Sequence, residues 1–179
     1  MTVNPTPDQE QAAILDAERD VQARLGDRQL DFESLDAISN IYRAAGGVRR
    51  RAEHEVLTSH GISFGGFTIM WVLWVWEEME TARLADECGV AKGTLTGTLT
   101  TLEKQGLVSR TRVESDKRRV LVDLTPAGTE AISTLFPKFN EFEGQMTAGL
   151  SSGEKRELAR LLRVVIRNAS TQDGLPGAE

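Results

Sequence analysis

Residues 81–124 read TARLADECGVAKGTLTGTLTTLEKQGLVSRTRVESDKRRVLVDL. Thr81 is placed to cap a first short helix whose inward positions are Leu84, Ala85 and Cys88. Gly89 ends it, where a sharp turn needs a backbone without a side chain. From about Lys92 to Gln105, Leu95, Leu99 and Leu102 form one apolar stripe at helical spacing. Small Ala85, Gly89 and Leu95 form a packing pattern that lets two short helices cross steeply. Gly106 stops the second helix. Val108 to Val113 and Val120 to Leu124 then alternate with period two, which predicts two strands. The stretch Glu114-Ser115-Asp116-Lys117-Arg118-Arg119 is polar and charged and is expected at their tip.

Helix, turn, helix and ribbon together resemble the winged helix-turn-helix of MarR-family transcriptional regulators. The residues that carry the resemblance are Leu84-Ala85, Gly89-Val90, Thr94-Leu95-Thr96, Leu102-Glu103-Lys104, Gly106-Leu107-Val108, Arg110, Asp116-Lys117-Arg118-Arg119 and Leu124-Thr125-Pro126-Ala127-Gly128. The resemblance runs from about residue 34 to residue 169. It implies a mainly α fold with a small β-wing and a helical dimerisation region. It also implies a homodimer, double-stranded DNA as partner and release by a small effector.

The remainder is organised around that stretch. The chain has 179 residues, 40% hydrophobic and 27% charged, a globular composition of one domain or one domain with an extension. The longest apolar run, Phe67 to Trp76, is interrupted by Thr68 and is too short to span a membrane. The N-terminus has no basic region followed by an apolar core, so no secretory signal is expected. One cysteine, Cys88, allows no internal disulfide and suits a reducing compartment, so the expected location is cytoplasmic.

The net charge of −6 at first argues against nucleic acid. Between Lys104 and Arg119, however, six basic residues stand against two acidic ones, a local +4. Phosphates respond to such a patch more than to total charge. The alternative is a solvated hairpin tip.

Residues 1–30 form an N-terminal extension. A helix is expected from Asp8 to Leu25, with Ile14, Leu15, Val21 and Leu25 on one side and Gly26 at its end. Urate-responsive regulators, a subgroup of the resembling family, also carry an added N-terminal helix. Their tryptophan in that helix has no counterpart here, and their acidic residue falls on Thr68. Residues 31–60 and 126–170 are expected to form the dimerisation region, 61–125 the DNA-binding region and 171–179 a flexible tail. Phe32 to about Leu57 reads as a long helix; Gly46-Gly47 within it costs about 2 kcal/mol relative to alanine, which predicts a kink or a close helix contact. Phe64 to Met79 reads as a helix apolar nearly all round and holds all three tryptophans. Thr125 and Pro126 open a helix striped by Ile132, Leu135, Phe139, Phe142 and Met146, which Pro137 should kink. Ser151 and Glu154 form a capping box for the last helix.

The expected DNA-binding residues are Lys92, Thr94, Thr96, Gly97, Thr100, Arg110, Asp116, Lys117, Arg118 and Arg119. Threonine hydroxyls can bond base edges and their methyls can touch thymine methyls. Gly97 stands where many relatives carry arginine and Ala91 where many carry a capping Ser or Asp, which shifts weight to the wing. Asp116 and Arg118, two apart, are expected on one side of the ribbon and paired, with the guanidinium aimed at the minor groove. Arg49, Arg50, Phe67, Trp71 and Trp74 are the candidate lining of a site for a small aromatic or anionic effector; the alternatives are ordinary core for the aromatics and ion pairs with Glu53 and Glu55 for the arginines.

Gly-rich phosphate loops, serine elbows and Cys-x-x-Cys motifs are absent from the sequence, so no catalytic residues and no cofactor are expected. His54 and His60 lack metal-ligand spacing, so no metal is expected either. The reading is a ligand-responsive transcriptional regulator bound to a pseudo-palindromic operator, and the resemblance implies a repressor, the most frequent role in that family. The alternative is a winged-helix module that binds protein and has no specific DNA site.

Overall fold

A computed structural model describes residues 15–26, 28–114 and 116–170, without the side chains of Lys117, Arg118 and Ser170. The chain divides into two compact units, Met1–Arg50 and Arg51–Glu179. The expected N-terminal helix is described from α1 (Asp16–Leu25) onward; its portion from Asp8 to Ile14 lies outside the described residues, as do the tail and the two prolines near the start. Glu18 accepts from the backbone N–H of Leu15 at 2.9 Å and from Asn40 of α2 (Phe32–Ala52) at 2.5 Å. These two bonds hold its carboxyl below the usual glutamate range, the Asn40 bond contributing most.

The helix α2 is one continuous helix through Gly46-Gly47. Within the single chain, a Cβ at Gly47 would meet nothing within 4 Å, and one at Gly46 only the tip of Arg50. The helix loses its regularity later, in one π turn at Glu53–Leu57 and one tight turn at Thr58–His60. Gly61, at φ 65°, closes that end.

The second unit is built on α3 (Phe64–Trp76), capped by Ser63, which accepts from Gly66 N–H at 3.1 Å. Phe67, Ile69, Met70, Val72 and Leu73 are buried while Trp74, Val75 and Trp76 are exposed, so burial lies chiefly in the first three turns. The helix ends at Trp76 rather than Met79, because Met79–Glu80 forms a strand, β1, that the sequence reading did not contain. With β2 (Val108–Val113) and β3 (Asp116–Leu124) it makes a three-stranded antiparallel sheet in the order β1-β3-β2. Met79 lies opposite Val122, and Glu80 opposite Leu121.

That pairing also corrects the start of the next helix. Glu80 is still extended and occupies the capping position, so Thr81 is the first residue of α4 (Thr81–Cys88). Leu84 and Ala85 are buried as expected. Gly89 takes φ 63°, and α5 (Lys92–Lys104) follows with Leu95, Leu99 and Leu102 at most 2% exposed. Gly106, at φ 72°, turns the chain into β2.

After the wing, Thr125 accepts from Gly128 N–H at 3.0 Å and caps α6 (Pro126–Met146). Ile132, Leu135, Phe139 and Phe142 are its buried stripe. The helix continues past Pro137, whose exposed position turns the missing backbone bond toward solvent. Phe139 stacks on Phe67 at 4.0 Å between ring centres, locking α6 to α3. The expected capping box opens α7 (Ser152–Ser170): Ser151 N–H donates to Glu154 at 2.7 Å and Glu154 N–H to Ser151 Oγ at 3.3 Å.

Candidate nucleic-acid interface

The leucine stripe of α5 faces the core, so the opposite side of a 3.6-residue helix is set. Gly93, Gly97 and Lys104 lie along its outer line, flanked by Thr96 and Thr100 on one side and Thr94 and Thr101 on the other. Four threonines bond backward along the helix. Thr96 donates to Lys92 O at 2.8 Å, Thr98 to Thr94 O at 3.0 Å, Thr100 to Thr96 O at 2.9 Å and Thr101 to Gly97 O at 3.3 Å. Such bonds suit a helix rich in threonine, a residue that otherwise competes with the backbone.

The wing lies beside this helix and is joined to it through Arg110. Its Nε donates to Glu103 at 3.1 Å, a second nitrogen of the guanidinium also binds Glu103, and that nitrogen reaches Thr100 Oγ1 at 3.5 Å. The guanidinium holds the Glu103 carboxyl below the usual glutamate range. A cavity of about 450 Å³ opens between helix and wing, with Lys92, Thr96 and Leu99 on one wall and Arg110 and Val120 on another. Arg119 is likewise paired, with Glu80 on β1.

The charge count therefore changes meaning. Two of the six cations between Lys104 and Arg119 are tied to glutamates of the same chain. Sequence inspection missed Glu80 and Glu103 because each partner is separated from its arginine by a turn or by a whole helix-turn-helix. No periodicity links them.

The tip is also tighter than expected. Asp116 is already in β3, opposite Val113, while Arg112 lies opposite Val120. Lys117, Arg118 and Arg119 are therefore an insertion in the register. The strict alternation that put Asp116 and Arg118 on one side does not apply across it. The side-chain pairing expected for Arg118 lies outside the described residues.

The effector candidates have mixed surroundings. Phe67 is 5% exposed and is taken up by its stack with Phe139. Trp71 is half-buried edge-on to Trp76, and Trp74 lies beside Phe136. Arg49 and Arg50 belong to the first unit and the three aromatics to the second. Arg51 pairs with Glu55 at 2.8 Å, as the ion-pair alternative has it. A different cavity, of about 440 Å³, lies between the π turn and α6. His60 and Lys138 meet at its edge, with 3.4 Å between Nε2 and Nζ.

A helix-turn-helix followed by a two-stranded wing, whose second strand also pairs with a short strand before the first helix, defines the winged-helix class of DNA-binding proteins. Residues 62–120 match the MarR family. The chain is 34% identical over 157 residues to the HTH-type transcriptional regulator YwaE of Bacillus subtilis, covering 86% of this chain and 92% of that one. Among solved structures it resembles Sco3205, a MarR-family regulator of Streptomyces coelicolor in complex with DNA (TM-score 0.73, 20% identity, 82% and 94% of the two chains). It also resembles Bordetella bronchiseptica BpsR, whose DNA binding is regulated by 6-hydroxynicotinic acid (TM-score 0.68, 19% identity, 73% and 98%). The chain belongs to the MarR family of transcriptional regulators.

Proposed function

We propose that the protein is a homodimeric repressor that binds a pseudo-palindromic operator and is released by a small aromatic or anionic effector. The observation that carries DNA reading is the uncovered Thr/Gly face of α5 beside a wing joined to it through Arg110. Lys92, Thr94, Thr96, Gly97 and Thr100 would enter the major groove, and Arg110 would stand at its edge. Asp116, Lys117, Arg118 and Arg119 would follow the adjacent backbone and minor groove. The action is binding, with no chemical step. Among the described residues no single helix is long and apolar enough to cross a membrane, and the proposed location is cytoplasmic.

Dimerisation is supported by exposed apolar residues at both ends of the chain. Ile38 and Tyr42 on α2, and Leu158, Leu161 and Ile166 on α7, are 41 to 75% exposed in the single chain. Stripes of this size are expected to be covered by a second copy. The dimer would set two recognition helices about 34–36 Å apart, one turn of DNA. The effector role is by likeness to BpsR, with Arg49, Arg50, Phe67, Trp71 and Trp74 as the residues to probe. An effector would act by favouring a half-site spacing that no longer fits.

The test is fluorescence anisotropy with duplexes from the DNA upstream of the protein's own coding sequence. Salt-dependent, competitor-resistant binding by a dimer supports the reading. A species of 19.7 kDa in light scattering at micromolar concentration refutes the dimer. Failure to prefer any duplex over competitor favours the protein-binding alternative. Tryptophan emission and operator affinity that both ignore a panel of aromatic acids refute the effector.

A further inference from the structure

We infer that the middle of the recognition helix favours A·T pairs in the major groove, through contact of its threonine methyl groups with thymine methyls. The inference rests on the operator-binding reading above and specifies what that operator contains.

A threonine hydroxyl has one proton and two lone pairs. In α5 the protons of Thr96, Thr100 and Thr101 are given to the carbonyls of Lys92, Thr96 and Gly97. What these side chains keep for DNA is an acceptor oxygen and a methyl group. Each back-bond also fixes the side-chain rotamer, so the methyl is held rather than free to turn away. Gly93 and Gly97 add nothing to the face: a Cβ at either would meet no atom within 4 Å. They leave a shallow trough between threonine rows, through which the helix can sit closer to the base edges.

The groove offers partners for such a surface only in some pairs. Adenine presents an N6 donor and thymine a methyl. Each pair presents two acceptors there (N7 and O6 of guanine, or adenine N7 and thymine O4) and one donor, so for this surface the thymine methyl is what separates A·T from G·C. Among the described residues, the charged side-chain donor on this outer line is the Lys104 ammonium at its end, while Lys92 lies on the flank toward the wing. Arg110, which could have supplied a bidentate fork, spends two nitrogens on Glu103. A G·C pair under the centre of the helix would therefore offer the threonine methyls no apolar partner and meet no guanidinium.

A wing in a narrow minor groove would favour A·T as well, so base composition alone does not test the inference. The thymine methyl does, because it lies only in the major groove. The experiment selects duplexes from a randomised pool with the full-length chain, then replaces thymine by deoxyuridine in the selected sequence. The expected result is A·T at the centre of each half-site. Each methyl removed beneath α5 should weaken binding about fourfold, the worth of one buried methyl. Thr96→Ser and Thr100→Ser keep the hydroxyl and lose the methyl, and should abolish that penalty at their own positions. Gly97→Arg, which adds a guanidinium where space is open, should improve binding to duplexes with a central G·C pair relative to A·T.

Selected sequences with a fixed guanine at the centre would overturn the inference while leaving operator binding intact. So would indifference to deoxyuridine, or a penalty undiminished in both serine variants. A pool from which nothing is enriched would overturn operator binding itself, and this inference with it.

Discussion

Arg119 on the wing and Glu80 on the first strand are 39 positions apart and joined: the arginine's Nε donates to the carboxylate at 2.9 Å. The pair spans neighbouring strands, so it ties the base of the charged insertion to the residue that starts the helix-turn-helix. It is half-exposed and screened by solvent, so it adds little to folding. Its effect on DNA should be larger. Glu80→Gln releases Arg119, and the slope of log K against log salt should steepen by up to about one phosphate contact. An unchanged slope with unchanged affinity would place Arg119 away from the backbone.

Arg118→Ala should leave fold and dimer intact, weaken operator binding by about 1–3 kcal/mol and make the salt slope shallower. Asp116→Ala should weaken binding too, although it removes a negative charge from a DNA-facing surface. Charge counting predicts the opposite sign. Tighter binding by Asp116→Ala in a titration would exclude a positioning role for that carboxylate.

Gly128 explains the last residue of the Leu-Thr-Pro-x-Gly motif. A Cβ there would stand 1.9 Å from the carbonyl oxygen of Leu107, the same atom that accepts from Thr125 N–H. Backbone on both sides leaves little room to yield. Gly128→Ala should destabilise by at least about 1–3 kcal/mol in urea unfolding. A midpoint within error of the parent protein would mean that the start of α6 shifts freely.

Glu77 has φ 62° and ψ −161°, a conformation that belongs to glycine. It lies between the exposed end of α3 and β1, where the chain must reverse within two residues to enter the sheet. Glu77→Gly should therefore stabilise the protein by about 1 kcal/mol, the strain relieved less the entropy glycine loses on folding. A lower melting temperature would refute this account of the turn.

Cys88 is a packing residue whose thiol is pushed up to about 11, by burial first and by the neighbouring Glu87 second. Raising a thiol pKa lowers the thiolate fraction at neutral pH. Iodoacetamide at pH 7.5 should label the native protein roughly a hundredfold more slowly than the urea-unfolded chain. Equal rates would show the site to be open.

The sequence alone determined the order of the main helices and of the two wing strands. Leucines at helical spacing fix the inner face of α5 wherever that helix sits, and Gly89, Gly106 and the Thr125-Pro126 pair punctuate the chain by local backbone chemistry. Those signals need no distant partner. Tertiary structure decided what each charge faces. The outer line of α5 was fixed by sequence, but only folding brought Glu103 and Thr100 to Arg110, and Glu80 to Arg119. The same is true of β1: two residues, Met79 and Glu80, carry no periodicity and become a strand only because β3 offers its edge. The tip follows the same rule. Alternation predicted Asp116 and Arg118 on one side, but strand register is settled by the pairing partner, and the insertion opposite Arg112 and Val113 breaks it. Local propensity acts over a few residues, whereas ion pairs and strand edges depend on distances that exist only after the chain has closed on itself.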